Sequence, residues 1–138
     1  MSRATLLIVD DDADQHTVCG LFLEHAGYTV LHAFDGLEGV EMAREHQPTL
    51  VLMDIRMPRM DGIQARRALA AEPATAEIPV VALSADVLTW PERRVMQEGF
   101  TAHLPKPCNL ERISALVARL TRRETSALVS GPGAAVAV

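Results

Sequence analysis

Three short apolar runs, Leu6–Val9, Leu50–Met53 and Val80–Leu83, constrain this chain more than any other feature. None alternates polar with apolar residues, and each is too short for a helix. Runs of this kind suit strands buried on both faces, as in a parallel sheet covered by helices on each side. Thr29–Ala33 and Ala102–Leu104 are two weaker strand candidates.

Helical patterns fill the intervals. Val18, Leu21, Phe22 and Ala26 recur at three- and four-residue spacing and predict the apolar face of a first helix, stopped by Gly27. Val40 and Ala43 mark a second helix closed before Pro48, and Ile63–Ala71 makes a third. Pro91 suits the first turn of a fourth, which runs to Gly99. Leu110, Ile113, Leu116, Val117 and Leu120 form the stripe of a fifth, capped by Asn109. Strand–helix units in strict alternation specify an α/β doubly wound sheet, because right-handed crossovers put helices on both faces. Thr125–Val138 is rich in small residues, interrupted by Gly131-Pro132 and without a helical stripe, so it reads as a frayed tail.

Composition removes several function classes. At 138 residues the chain has the size of one domain. A net charge of −5, with the pairs Arg66-Arg67, Arg93-Arg94 and Arg122-Arg123 dispersed among acidic residues, argues against nucleic acid as a partner. Cys19 and Cys108 lack metal-ligand spacing and make no disulfide framework, which fits a reducing compartment. The N-terminal residues lead straight into a short apolar run and three aspartates, which suits neither a signal peptide nor membrane insertion. A cytoplasmic protein is expected.

Ligands in such folds bind outside the carboxyl ends of the strands, near the point where strand order reverses. Asp10, Asp11 and Asp12 follow the first strand, Asp54 the third, Ser84 the fourth and Lys106 the fifth. Singly each has an ordinary reading: an aspartate can cap the next helix, Ser84 can form a turn, and Lys106 can be a solvated surface residue. Together they converge on one edge of the sheet. Adjacent carboxylates repel unless a cation sits among them, and a hard divalent ion such as Mg²⁺ or Mn²⁺ prefers oxygen ligands. With the cation in place, one carboxylate oxygen can attack phosphorus while an ammonium neutralises the transferring group.

These residues carry a resemblance. Val9-Asp10-Asp11-Asp12, the stretch Met53-Asp54-Ile55-Arg56-Met57-Pro58-Arg59-Met60-Asp61-Gly62, Leu83-Ser84-Ala85 and Lys106-Pro107 resemble the defining motifs of CheY-like response-regulator receiver domains. The resemblance covers residues 4–122 and leaves 123–138 as a flexible C-terminal tail. It implies a five-stranded parallel sheet of strand order 2-1-3-4-5. It further implies that Asp54 is the phospho-acceptor and that Asp11, Asp54 and the Arg56 backbone carbonyl ligate the metal, with Asp10 acting through water. Ser84 would hold the phosphoryl group, Lys106 would pair with it, and the Lys106–Pro107 bond would be cis. Where many relatives carry a rotating Tyr or Phe, this chain has His103, so the switch pair is Ser84 and His103 and the output mechanism stays open. The implied partners are a sensor histidine kinase or histidine phosphotransfer protein and a downstream protein target. Leu88 and Trp90, in the loop after the fourth strand, are expected to be exposed and to anchor a partner.

Two alternatives compete. A haloacid-dehalogenase-type phosphatase would use Asp10 and Asp12 as a D-x-D pair, but would leave Asp54 and its Met-Pro loop unexplained. A pseudo-receiver would keep the fold as a binding module without phosphorylation.

Overall fold

A computed structural model describes residues 4–86, 88–107 and 109–129, with 122–129 as backbone only. Five parallel strands, β1 (Thr5–Val9), β2 (Thr29–Ala33), β3 (Leu50–Asp54), β4 (Val80–Ser84) and β5 (Ala102–Pro105), form one sheet ordered β2-β1-β3-β4-β5. Between and after them come α1 (Ala13–His25), α2 (Gly36–His46), α3 (Gly62–Ala71), α4 (Glu92–Gln97) and α5 (Leu110–Val129). The doubly wound architecture and strand order are those expected.

Alternation along each central strand divides the core. Leu7, Val9, Val51, Met53, Val80 and Ala82 face one layer, where Val40 and Ala43 of α2, Ile63 and Leu69 of α3 and Val95 of α4 cover them. Leu6, Ile8, Leu50, Leu52, Val81 and Leu83 face the other, under Cys19 and Leu23 of α1 and Ile113 and Val117 of α5. Each fully buried Leu or Val contributes about 1.5–3 kcal/mol of transfer free energy. Both faces being covered is why these strands show no polar alternation in sequence.

The face that α1 buries overlaps the expected one only at Phe22, which packs partly buried against the core. Val18 and Leu21 are 52% and 62% exposed, while His16, Cys19, Gly20 and Leu23 are buried. Apolar residues occur on both sides of this helix, so periodicity does not choose between them; docking on β1 and β2 does. Gly20 has a steric role here, since a Cβ would stand 2.9 Å from His32 Cε1 on β2. An interior helical glycine costs about 1 kcal/mol relative to alanine, and here it makes room for that imidazole.

Three smaller differences follow from local chemistry. Pro91 is the N-cap of α4 rather than a first-turn residue, with ψ of 157°. Trp90 is partly buried against the core, with the Arg94 guanidinium 4.2 Å from its ring centroid, whereas Leu88 is 92% exposed as expected. Helix α5 runs on to Val129, into the stretch from Thr125 that was expected to be a frayed tail, and Thr125–Val129 contains neither glycine nor proline. Cys108 and the rest of the expected tail, 130–138, lie outside the described residues.

Candidate functional site

The site lies where β1 and β3 leave the sheet in opposite topological directions, with β2 outside β1 and β4 outside β3. Asp10 follows the last residue of β1 and is fully buried, and its Oδ1 accepts the Asp12 N–H at 2.9 Å. Asp12 turns away, accepting from Asp14 N–H as the N-cap of α1. One of the three aspartates is therefore the cap that the sequence called for.

Asp54 ends β3, where its Cα pairs with Leu83 in β4, and is 7% exposed. Its Oδ1 accepts the Arg56 N–H at 3.3 Å and its Oδ2 receives Lys106 Nζ at 3.1 Å. The same Nζ donates to Asp10 Oδ2 at 2.9 Å. Asp11 is exposed, yet one carboxylate oxygen from each of Asp10, Asp11 and Asp54 lies within 4.8 Å of the others. Arg56, with Asp11, Pro58, Asp61, Asp86 and Trp90, lines the open cleft above them.

The electrostatics leave a place for a cation. Burial, reinforced by the Asp10 charge, raises the Asp54 carboxyl above its ordinary pKa, against the opposing pull of Lys106 and the Arg56 N–H. Burial alone would lower the Lys106 ammonium, but the hydrogen bonds and charges of Asp10 and Asp54 outweigh it and raise it. Three carboxylates and one ammonium are thus gathered at an open edge, a donor set that suits a hard divalent ion. Asp10, Asp11 and Asp54 fit such an ion by charge and proximity.

Ser84 ends β4, 1% exposed, and its Oγ accepts the Asp86 N–H at 3.2 Å. His103, in β5, pairs with Ala82 of β4, and its buried Nε2 has no hydrogen-bond partner among the described residues. Burial holds the His103 imidazole below its ordinary pKa. Lys106–Pro107 is cis, as expected. The described residues include no helix long and apolar enough to cross a membrane.

The sequence reading missed a histidine pair beside this site. Buried His16 on α1 reaches both the Asp10 carbonyl oxygen and His32 Nδ1, each at 2.7 Å. Periodicity hid it, because His16 lies on the side of α1 that was not expected to be buried.

Residues 6–118 match the family described as the response regulator receiver domain. The chain is 31% identical to the polar-differentiation response regulator DivK of Brucella ovis over 112 residues, 81% of this chain and 90% of that protein. Among solved structures it resembles the receiver domain of sensor histidine kinase PA1611 from Pseudomonas aeruginosa, which has a magnesium ion coordinated in its active-site cleft. That match has 28% identity and a TM-score of 0.80, covering 88% of this chain and 99% of the other. A receiver domain of a signal transduction histidine kinase from Syntrophus aciditrophicus is 32% identical with a TM-score of 0.77, covering 86% and 90%. The chain belongs to the response regulator receiver domain family and is a phospho-acceptor switch of two-component signalling.

Proposed function

We propose that Asp54 is the phospho-acceptor and that its donor is the phosphohistidine of a sensor kinase or histidine phosphotransfer protein. The observation that carries this reading is the buried Asp54 carboxylate, bonded to Lys106 beside Asp10 at the topological switch point. An Asp54 oxygen forms the new O–P bond, the P–N bond breaks, and the imidazole nitrogen leaves. Lys106 neutralises charge on the transferring group, since a preorganised ammonium in a poorly solvated site costs no reorganisation. Asp11, Asp54 and the Arg56 carbonyl would hold Mg²⁺ or Mn²⁺, with Asp10 acting through water, and the ion would supply the remaining positive charge. Later attack of water on phosphorus releases inorganic phosphate, so the chain catalyses only its own phosphorylation and dephosphorylation.

The phosphoryl group adds about −1.5 to −2 charge beside Ser84. Its oxygens draw the Ser84 hydroxyl away from Asp86, and His103 turns into the space this opens. The readout is a surface of α4, β5 and α5 offered to a downstream protein target in the cytoplasm, with residues 4–122 acting as the receiver unit. The phosphatase alternative is disfavoured by Asp12, whose side chain caps α1 instead of facing the site.

The test is labelling by phosphoramidate. Wild-type protein should be phosphorylated in Mg²⁺ and not in EDTA. Asp54→Asn should not be labelled, and Asp11→Ala should lose most Mg²⁺ affinity. Equal labelling of Asp54→Asn would contradict the assignment, and an unlabelled wild type would favour the pseudo-receiver.

A further inference from the structure

The histidine pair has geometry that the phosphorylation chemistry alone does not use. The Asp10 N–H donates to Ala33 O on β2 at 3.1 Å, and the Asp10 carbonyl accepts from His16 Nε2 at 2.7 Å. The backbone of Asp10 is therefore held on both sides. A peptide unit turns as a rigid plane, so fixing the Asp10 oxygen also fixes the direction in which the chain proceeds to Asp11. Asp11 is the exposed member of the carboxylate trio and has no side-chain bond of its own among those described.

The donor roles follow from chemistry. A carbonyl only accepts, so His16 Nε2 carries hydrogen whatever the charge of the ring. In the neutral ring Nδ1 is then bare, and His32 Nδ1–H must donate across the 2.7 Å contact. Phe34 closes the other side of His16, ring centroids 4.2 Å apart, and Gly20 leaves room for His32. The imidazole of His16 thus has one orientation, set by β2 and aimed at the Asp10 carbonyl.

We infer that His16, oriented by His32, is a positioning residue that holds the Asp10–Asp11 peptide and thereby places the Asp11 carboxylate for the metal. This rests on the metal-site reading above. A group that orients a ligand without touching the ion typically controls affinity by about 10–100-fold, and the low end is expected for one backbone contact.

The experiment compares His16→Phe, which keeps the ring against Phe34 and removes the donor, with His16→Gln, whose amide can donate from a similar place. Mg²⁺ is titrated into each, following the Asp11 and Arg56 amide resonances. His16→Phe should bind Mg²⁺ about tenfold more weakly with β3–β5 shifts preserved, and His16→Gln should stay within about twofold of wild type. Wild-type affinity in His16→Phe, or equal losses in both variants, overturns the inference. Wild-type protein that binds no Mg²⁺ overturns the metal-site reading itself, and this inference with it. Should His16→Phe fail to fold, nitrogen correlation spectra of the wild type at pH 8 decide. They should show His16 as the Nε2–H tautomer and His32 as the Nδ1–H tautomer, and a His16 Nδ1–H tautomer overturns the inference.

Discussion

Lys106 Nζ stands between two buried carboxylates, 2.9 Å from Asp10 Oδ2 and 3.1 Å from Asp54 Oδ2. Among the described residues Lys106 is the cation paired with both carboxylates, so removing it leaves charge that the surroundings cannot hydrate. Lys106→Met should lower stability by roughly 3 kcal/mol in EDTA, the usual cost of breaking a buried pair from one side. Added Mg²⁺ should restore part of this, because the ion takes over as counter-charge. Urea unfolding with and without Mg²⁺ checks both effects, and an unchanged midpoint in EDTA would count against the shared ammonium.

Burial and the Asp10 charge raise the Asp54 pKa, so folding disfavours its ionised form. The stability that Asp54 contributes when protonated is fully present below its ordinary value of 3.8 and is lost as pH rises through the raised value. Asp54→Asn should therefore melt a few degrees higher than wild type at pH 7 in EDTA, with the gap closing below about pH 4. Thermal unfolding across this range measures it, and a lower melting point at pH 7 would show that the Lys106 bond outweighs burial.

Arg56 Nη1 lies 3.6 Å from Asp86 Oδ2, and both residues line the cleft over Asp54. Hydrogen bonding from the Thr89 N–H lowers the Asp86 carboxyl below its ordinary pKa. With Arg56 exposed, the pair contributes little to stability, but on the phospho-acceptor reading it would stand across the approach of water to an acyl phosphate on Asp54. Replacing both with alanine should speed dephosphorylation several-fold without moving the unfolding midpoint. Decay of the labelled protein is the measurement, and an unchanged or longer half-life removes the shielding role.

Gly62 opens α3 directly against the end of β3. A Cβ there would stand 2.4 Å from the Asp54 backbone oxygen and 2.8 Å from Ile55 Cα. Gly62→Ala should cost about 1–3 kcal/mol, as overpacking does elsewhere, and should slow labelling because the backbone carrying Asp54 must shift. Denaturant unfolding and phosphoramidate labelling should change together; a neutral variant would mean that the helix start can slide.

What the sequence determined by itself was whatever depends on local pattern or on type at a strand end. Unbroken apolar runs specified buried parallel strands, and Asp10, Asp54, Ser84 and Lys106 followed from being the polar residues where those runs stop. Asn109 as cap of α5 was legible too, because its side chain accepts from Arg112 N–H only three residues away. Tertiary structure decided what depends on partners distant in the chain. Helix α1 carries apolar residues on two sides, and only docking on the sheet selected Cys19 and Leu23 over Val18 and Leu21. That rotation also turned His16 inward to meet His32, sixteen residues away on β2. No periodicity announces such a contact, since it arises where two packed elements bring buried nitrogen atoms within hydrogen-bonding distance and each must find a partner.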